Sequence, residues 1–91
     1  MRYEINFSDN ALAVLAKWKK SNPTLFKKAY KIINDIAEHP RSGLGHPEAL
    51  KGGSDTLYSR RITAHDRIVY DIYDELIEVQ VISVQGHYSD K

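Results

Sequence analysis

The second half of this chain contains carboxylate, guanidinium and imidazole side chains that could together cleave RNA. The set comprises Glu48, Arg61, Arg67 and His87. Metal-independent cleavage of RNA uses the ribose 2′-OH as an internal nucleophile. The protein must then supply a base for the 2′ proton, a cation for the pentacoordinate phosphorane and an acid for the departing 5′ oxygen. These residue types therefore cover the three roles that the reaction needs.

Each role can be given to a particular residue. Glu48 is the candidate base and His87 the candidate acid. Arg67, helped by Arg61, is the candidate cation, because a guanidinium can donate two parallel hydrogen bonds to phosphate oxygens and an ammonium cannot. Two further residues are candidates for RNA binding and transition-state support. Lys51 would add positive charge near the carboxylate, and Tyr88 could stack on a splayed base.

The same residues also have simpler interpretations. A glutamate in a Gly/Pro-rich loop is usually solvated, and the adjacent Arg60 and Arg61 could serve only as surface charges that protect a strand edge. Arg67 could pair with Asp66 or with an acidic residue across the sheet. A histidine and a tyrosine near a chain end are more often surface residues than catalytic ones. Residue types alone thus support no more than RNA binding.

Composition and charge restrict the class of protein. The 91 residues are 42% hydrophobic and 27% charged, which is typical of a globular protein, and we expect one domain over residues 1–91. The sequence has no apolar run as long as a membrane span and no signal-peptide pattern at its start. It contains no cysteine, so a cytoplasmic protein without disulfides or thiolate metal sites is expected. Net charge is about +5 over residues 1–70 and −4 over 71–91, which allows a local basic patch.

The first 38 residues have the pattern of one strand and two helices. Apolar and polar residues alternate from Arg2 to Phe7, as in a strand with one buried face. Ser8 or Asp9 can cap a helix that runs to about residue 20. The apolar side of this helix would carry Leu12, Leu15 and Trp18. Asn22 followed by Pro23 starts a second helix, which we expect to end near residue 38.

Residues 40–55 are rich in glycine and proline and predict a long loop, followed by three antiparallel strands. A fold at Asp74-Glu75 would pair Ile72 with Ile77, Tyr70 with Val79 and Ile68 with Val81. A three-residue turn at 64–66 would pair Ile62 with Ile68 and Tyr58 with Ile72. Both registers leave one apolar face and gather Arg61 and Arg67 on the other. The expected fold class is α+β, with the order β-α-α-β-β-β and both helices on one face of a largely antiparallel sheet.

Four segments, in order between residues 43 and 88, resemble the YoeB/Txe toxins of the RelE superfamily. They are Gly45-His46-Pro47-Glu48-Ala49-Leu50-Lys51, Tyr58-Ser59-Arg60-Arg61-Ile62-Thr63, Arg67-Ile68-Val69-Tyr70 and Gly86-His87-Tyr88. The resemblance implies a RelE-like fold and the toxin half of a type II toxin–antitoxin pair. It also implies an endoribonuclease, without cofactor or metal, that cleaves mRNA in the ribosomal A site.

The resemblance carries expectations about residues and partners. It implies catalytic roles for Glu48, Arg67 and His87 and contributory roles for Lys51, Arg61 and Tyr88. The expected partners are a YefM-type antitoxin, the 70S ribosome with its mRNA and, for so small a core, a second copy of the chain; no membrane is involved. The helix lysines are expected to form a solvated face, or to face ribosomal RNA.

Two other functions stay open at this point. The chain could be a non-catalytic member of the RelE/ParE superfamily that blocks gyrase or the ribosome by binding alone. It could also be a solitary ribosome-associated factor without an antitoxin. A metal site at His39, His46 and Glu48 is disfavoured, because their spacing fits no common ligand pattern.

Overall fold

Two helices and a five-stranded sheet make up the part of the chain that the computed structural model describes, residues 2–50 and 55–85. The elements are β1 (Glu4–Phe7), α1 (Asp9–Ser21), α2 (Pro23–Glu38), β2 (Glu48–Ala49), β3 (Leu57–Arg61), β4 (Arg67–Tyr73), a 3₁₀ turn (Asp74–Leu76) and β5 (Glu78–Gln85). The strand order is β1-β5-β4-β3-β2, with β1 parallel to β5 and the other neighbours antiparallel. The predicted α+β class is confirmed. The two-residue β2, inside the predicted loop, is an addition to the predicted order.

Both helices begin where local sequence signals place them. The Ser8 hydroxyl accepts a hydrogen bond from the Ala11 amide (3.0 Å) and donates one to the Ile82 carbonyl (2.6 Å), so Ser8 rather than Asp9 caps α1. The Asn22 side chain accepts from the Leu25 amide at 3.2 Å at the start of α2. Neither helix of the described chain has the length and apolar character needed to cross a membrane.

The core lies between the helices and one face of the sheet. Its central buried side chains are Ala11, Leu15, Trp18, Ala29, Ile33, Ile36, Ile68, Tyr70, Ile72, Val79, Val81 and Val84. The prediction that Leu12 faces the core is wrong, since Leu12 is 48% exposed. Ala11 takes that position, because residues 11, 15 and 18 follow the helical spacing of one face more closely than 12, 15 and 18 do.

The predicted pairing of β4 with β5 is wrong in register and right in its choice of faces. The observed partners are Ile72 with Val79, Tyr70 with Val81 and Ile68 with Val84. The 3₁₀ turn and Ile77, which has a left-handed backbone (φ 54°), take up the extra residues between the strands. A bulge after Val69 shifts the register once more, which brings Val84 to the core face.

The pairing of β3 with β4 also differs from the prediction by two residues. Arg60 lies opposite Ile68 and Tyr58 lies opposite Tyr70, because the turn spans Ile62 to Asp66 and not three residues. The amides of residues 62 and 63 both donate to the Asp66 carbonyl, at 2.8 and 3.2 Å. A shift of two keeps every side chain on its face. Arg61 and Arg67 therefore share the polar face as predicted, and the observed register places them directly opposite each other.

Candidate functional site

The sheet gathers polar side chains on the face opposite the core, next to the loop before β2. Glu48 of β2 lies opposite Ser59 of β3, and in the next row Arg61 lies opposite Arg67 of β4. These four residues and His46 line a pocket of about 260 Å³. The structure thus brings together three of the six predicted site residues, Glu48, Arg61 and Arg67.

The two arginines of this pocket form no ion pair in the part of the chain that the structure describes. Both are exposed, and within residues 2–50 and 55–85 neither guanidinium makes an ion pair or hydrogen bond. The alternative in which Arg67 pairs with Asp66 is wrong, since the Asp66 carboxylate accepts from the Thr63 hydroxyl instead (2.6 Å). Like charges directly opposite each other in a sheet are unfavourable. A pair kept in this arrangement is suited to a phosphate.

The loop before β2 is pressed against β3 at the pocket. The Gly45 carbonyl accepts a hydrogen bond from the Arg61 amide at 2.7 Å. Gly45 has φ 78°, and a Cβ built there would lie 2.5 Å from the Arg61 carbonyl oxygen, so only glycine fits. The next residue, His46, also has a left-handed backbone conformation, with φ 52°. This local geometry fixes where His46 and Glu48 enter the pocket.

A buried arginine, Arg60, holds the start of the same loop from the core side. It is 0% exposed, and all five of its guanidinium N–H groups have acceptors. The acceptors are the Tyr70 hydroxyl (3.0 Å), the Asp35 carboxylate (2.5 Å) and the backbone carbonyls of Leu44 (3.1 Å), Ser42 (2.8 Å) and His39. Since three acceptors are loop carbonyls, Arg60 sets the path of the chain toward β2. The interpretation of Arg60 as a surface charge is wrong.

Asp35 and Tyr70 complete this buried cluster. The Asp35 carboxylate accepts from the Leu44 amide (3.0 Å), and the Tyr70 hydroxyl donates to the Pro40 carbonyl (2.7 Å). Burial raises the pKa of Asp35, but the hydrogen bonds from Arg60 and Leu44 and the Arg60 charge bring that pKa below its ordinary value. Burial raises the pKa of Tyr70, opposed by its bond from Arg60. The charged Asp35 and the neutral Tyr70 are the forms that match their partners.

A second, exposed cluster ties the loop to the turn between β4 and β5. Arg41 donates to both carboxylate oxygens of Asp74 (3.1 and 2.8 Å), and the Tyr3 hydroxyl donates to the same carboxylate (2.8 Å). The hydrogen bonds from Arg41 and Tyr3 lower the pKa of Asp74 to about 2. The bond to Asp74 is also the main cause of a raised pKa for Tyr3. The loop is therefore anchored at two points before it reaches the pocket.

Three predicted site residues, Lys51, His87 and Tyr88, lie outside the described residues. Two residues were missed by the sequence reasoning. Arg60 could have been found, because strict alternation from Tyr58 places it on the core face. His46 could have been weighed as part of the pocket, since it lies two residues before Glu48.

A metal-binding group is not found in the described chain, where no three His, Asp or Glu side chains cluster in the way a metal ion requires. The ionisable side chains of the pocket are one carboxylate, two guanidinium groups and one imidazole. Such a set can bind a phosphodiester and exchange protons with the hydroxyl groups attached to it.

Comparison with known proteins agrees with this fold. Residues 7–88 match the family described as YoeB-like toxin of bacterial type II toxin–antitoxin system. Toxin YoeB of Streptomyces coelicolor is 34% identical over 84 residues, which are 92% of this chain and 95% of that protein.

Two solved structures from Staphylococcus aureus have the same fold. A YoeB dimer superposes with a TM-score of 0.82 at 29% identity, over 97% of this chain and 100% of that one. A YoeB–YefM complex superposes with a TM-score of 0.81 at 30% identity, with the same two coverages. The chain therefore belongs to the family of YoeB-like toxins of bacterial type II toxin–antitoxin systems.

Proposed function

We propose that this toxin is an endoribonuclease that cleaves mRNA in the A site of the ribosome, without a metal, through the ribose 2′-OH. One observation carries the proposal: a carboxylate, Glu48, lies in one pocket with two arginines that form no ion pair among the described residues. Binding alone would be served by the arginines. A carboxylate in the same pocket weakens the binding of an anion, so its presence favours a chemical role.

The pocket geometry supports a division of labour. Arg61 and Arg67 lie directly opposite each other in the sheet and line one pocket, an arrangement from which both side chains can reach one phosphate. Glu48 lies one row away, beside Ser59. A phosphate held by the arginines would thus have the carboxylate at its side, where it can take the 2′ proton while the arginines stabilise the charge that develops on the phosphorane.

The remaining roles belong to residues outside the described chain. We propose that His87 protonates the departing 5′ oxygen, that Tyr88 stacks on a base and that Lys51 adds positive charge. The products would then carry a 2′,3′-cyclic phosphate or 3′-phosphate on one side of the cut and a 5′-hydroxyl on the other. The site of action is the cytoplasm, where translating ribosomes are found.

A YefM-type antitoxin is the proposed inhibitor, by analogy with the S. aureus complex. An acidic antitoxin segment would neutralise Arg61 and Arg67 by the same attraction that holds RNA. Self-association is proposed by analogy with the S. aureus dimer.

A primer-extension map of a defined mRNA on purified 70S ribosomes, with EDTA present and absent, tests the proposal. The expected result is A-site cuts that persist in EDTA, carry 5′-hydroxyl ends and disappear with His87→Gln. Translation that stops while the mRNA stays intact would reject the nuclease and leave a toxin that acts by binding. Glu48→Gln is also expected to lose cleavage in this assay. Its control is Glu75→Gln, a change at an exposed glutamate far from Glu48 in sequence.

A further inference from the structure

His46 is a pocket residue to which the proposed reaction gives no task. It lines the same cavity as Glu48, Arg61 and Arg67, and it is exposed. Within residues 2–50 and 55–85 its imidazole makes no hydrogen bond or ion pair, including none to the carboxylate two residues away. The ring is therefore available to a ligand.

The backbone at this position would suit a different amino acid better. His46 has φ 52°, in the left-handed region that glycine enters without cost and that other residues seldom occupy. If loop geometry were the only requirement, glycine would meet it here as it does at Gly45. A side chain kept in a strained conformation at a pocket is a reason to ask what that side chain does.

The loop places His46 at the pocket that the two arginines line. The bond from the Arg61 amide to the Gly45 carbonyl (2.7 Å) fixes the residue before His46 against β3. The other ionisable residues that line the pocket with His46 are Glu48 from β2, Arg61 from β3 and Arg67 from β4. An imidazole has two ring nitrogens that donate when it is charged, which matches the oxygens of a phosphate.

We propose that His46 is a substrate-contacting residue, which donates a hydrogen bond to an RNA phosphate held by Arg61 and Arg67. This inference rests on the proposed function for its ligand class, a phosphate of the RNA backbone. The phosphate it contacts is shared with the arginines, so removing the imidazole weakens binding of any phosphate probe at this site.

Glycine at this position gives a clean test, because His46→Gly removes the ring and relieves the backbone at the same time. The probe is adenosine 3′-monophosphate, titrated into the full chain while the histidine ring resonances are followed by NMR. The expected result is a shift of the His46 ring signals and a Kd about tenfold or more higher in His46→Gly, the effect of one hydrogen bond to a charged group. His39→Gln, a change at an exposed histidine outside the pocket, is expected to leave the Kd unchanged.

Three results would overturn the inference: no binding of the probe by the native chain, binding that leaves the His46 signals in place, or an equal Kd in His46→Gly. The thermal midpoint of His46→Gly, expected to equal or exceed the native value, shows that a weaker Kd does not come from a damaged fold.

Cleavage on the ribosome is measured separately. A native chain that binds the probe through His46 but cuts no mRNA would reject the nuclease and keep the phosphate contact. If the native chain cuts mRNA and His46→Gly binds the probe and cuts equally well, the phosphate contact of His46 is rejected and the nuclease is kept.

Discussion

Two adjacent arginines on one strand have opposite surroundings. Arg60 is fully buried and donates five hydrogen bonds, to a carboxylate, a tyrosine hydroxyl and three loop carbonyls. Arg61 is exposed, lies directly opposite Arg67 and has no partner for its guanidinium in the described chain. A strand turns successive side chains to opposite faces, so the same residue type serves the fold at one position and is free for a ligand at the next.

The inner face of the sheet thus serves stability, and the outer face serves the proposed chemistry. The inner arginine shapes the loop that delivers His46 and Glu48, and the outer pair forms the pocket that receives them. Changes on the inner face should therefore appear in unfolding experiments, and changes on the outer face in cleavage. The following predictions test whether the two sets of effects are separate.

The largest effect on chemistry is expected from Glu48→Gln. It removes the base while keeping size and polarity, so single-turnover cleavage should fall by about 10²–10⁴-fold, the range for general acid–base catalysis. Because Glu48 is exposed, the urea midpoint should stay at the native value. Cleavage by this variant at the rate of the Glu75→Gln control would mean that the base is not Glu48.

The largest effect on the fold is expected from Arg60→Met. The change leaves the Asp35 carboxylate without its buried partner and three loop carbonyls without their donor. Breaking one side of such a buried pair costs about 3–5 kcal/mol. Equilibrium urea unfolding measures this loss, and Arg2→Met, at an exposed arginine paired with Glu38, is the matched control. If Arg60→Met unfolds at the same urea concentration as that control, the buried cluster does not support the fold.

Smaller effects are expected from Arg61→Gln, which should raise the free energy of unfolding and lower the rate of cleavage. Removing one of two facing positive charges relieves repulsion, so the free energy of unfolding should rise by about 0.2–1 kcal/mol. The same change removes one phosphate contact, and cleavage should fall by about tenfold or more. Urea unfolding and single-turnover cleavage on the same preparation measure both. Loss of stability together with activity would place Arg61 with Arg60 as a structural residue.

The smallest effect is expected from Asp74→Asn in the exposed Arg41–Asp74 cluster, which should change only the pH dependence of stability. Its carboxyl has a pKa of about 2 in the folded chain against 3.8 ordinarily. The folded state therefore gains from the charged form above pH 3.8, and this gain is lost as the pH falls toward 2. Asp74→Asn should flatten the decline in stability over that interval, measured by urea unfolding at a series of pH values. Salt at 0.5 M should weaken this exposed pair more than the buried Arg60–Asp35 pair, since exposed charges are screened.

The sequence predicted the parts of the fold that depend on local chemistry. Ser8 and the Asn22-Pro23 pair start the two helices, because a cap needs only a side-chain oxygen and a nearby amide. Alternation along β3 and β4 gave the right faces, since side-chain direction has a period of two whatever the register. For that reason the shared face of Arg61 and Arg67 was predicted correctly from a register that was wrong, although their direct pairing was not.

The register itself depends on turns whose geometry the sequence does not state. The left-handed Ile77 and the bulge after Val69 displaced the β4–β5 pairing, and neither carries a glycine that would signal it. Four of the five partners of Arg60 come from α2 and the loop that follows it, 16 to 25 residues away, and the fifth is Tyr70 of β4. Such long-range hydrogen bonds have no local pattern. The place of His46 in the pocket depends on the same loop path.

Single-turnover cleavage of an mRNA held on 70S ribosomes, with Arg67→Gln compared with the exposed-arginine control Arg2→Gln, is the most direct test of the outer face as a catalytic site. Removing a donor that stabilises the developing charge is expected to slow cleavage by about 10²–10³-fold. The control should cleave at the native rate and unfold at the native urea midpoint, and Arg67→Gln should unfold at or slightly above that midpoint, because it relieves the same repulsion as Arg61→Gln. Equal cleavage by the two variants would contradict the assignment of the paired outer arginines to the chemistry.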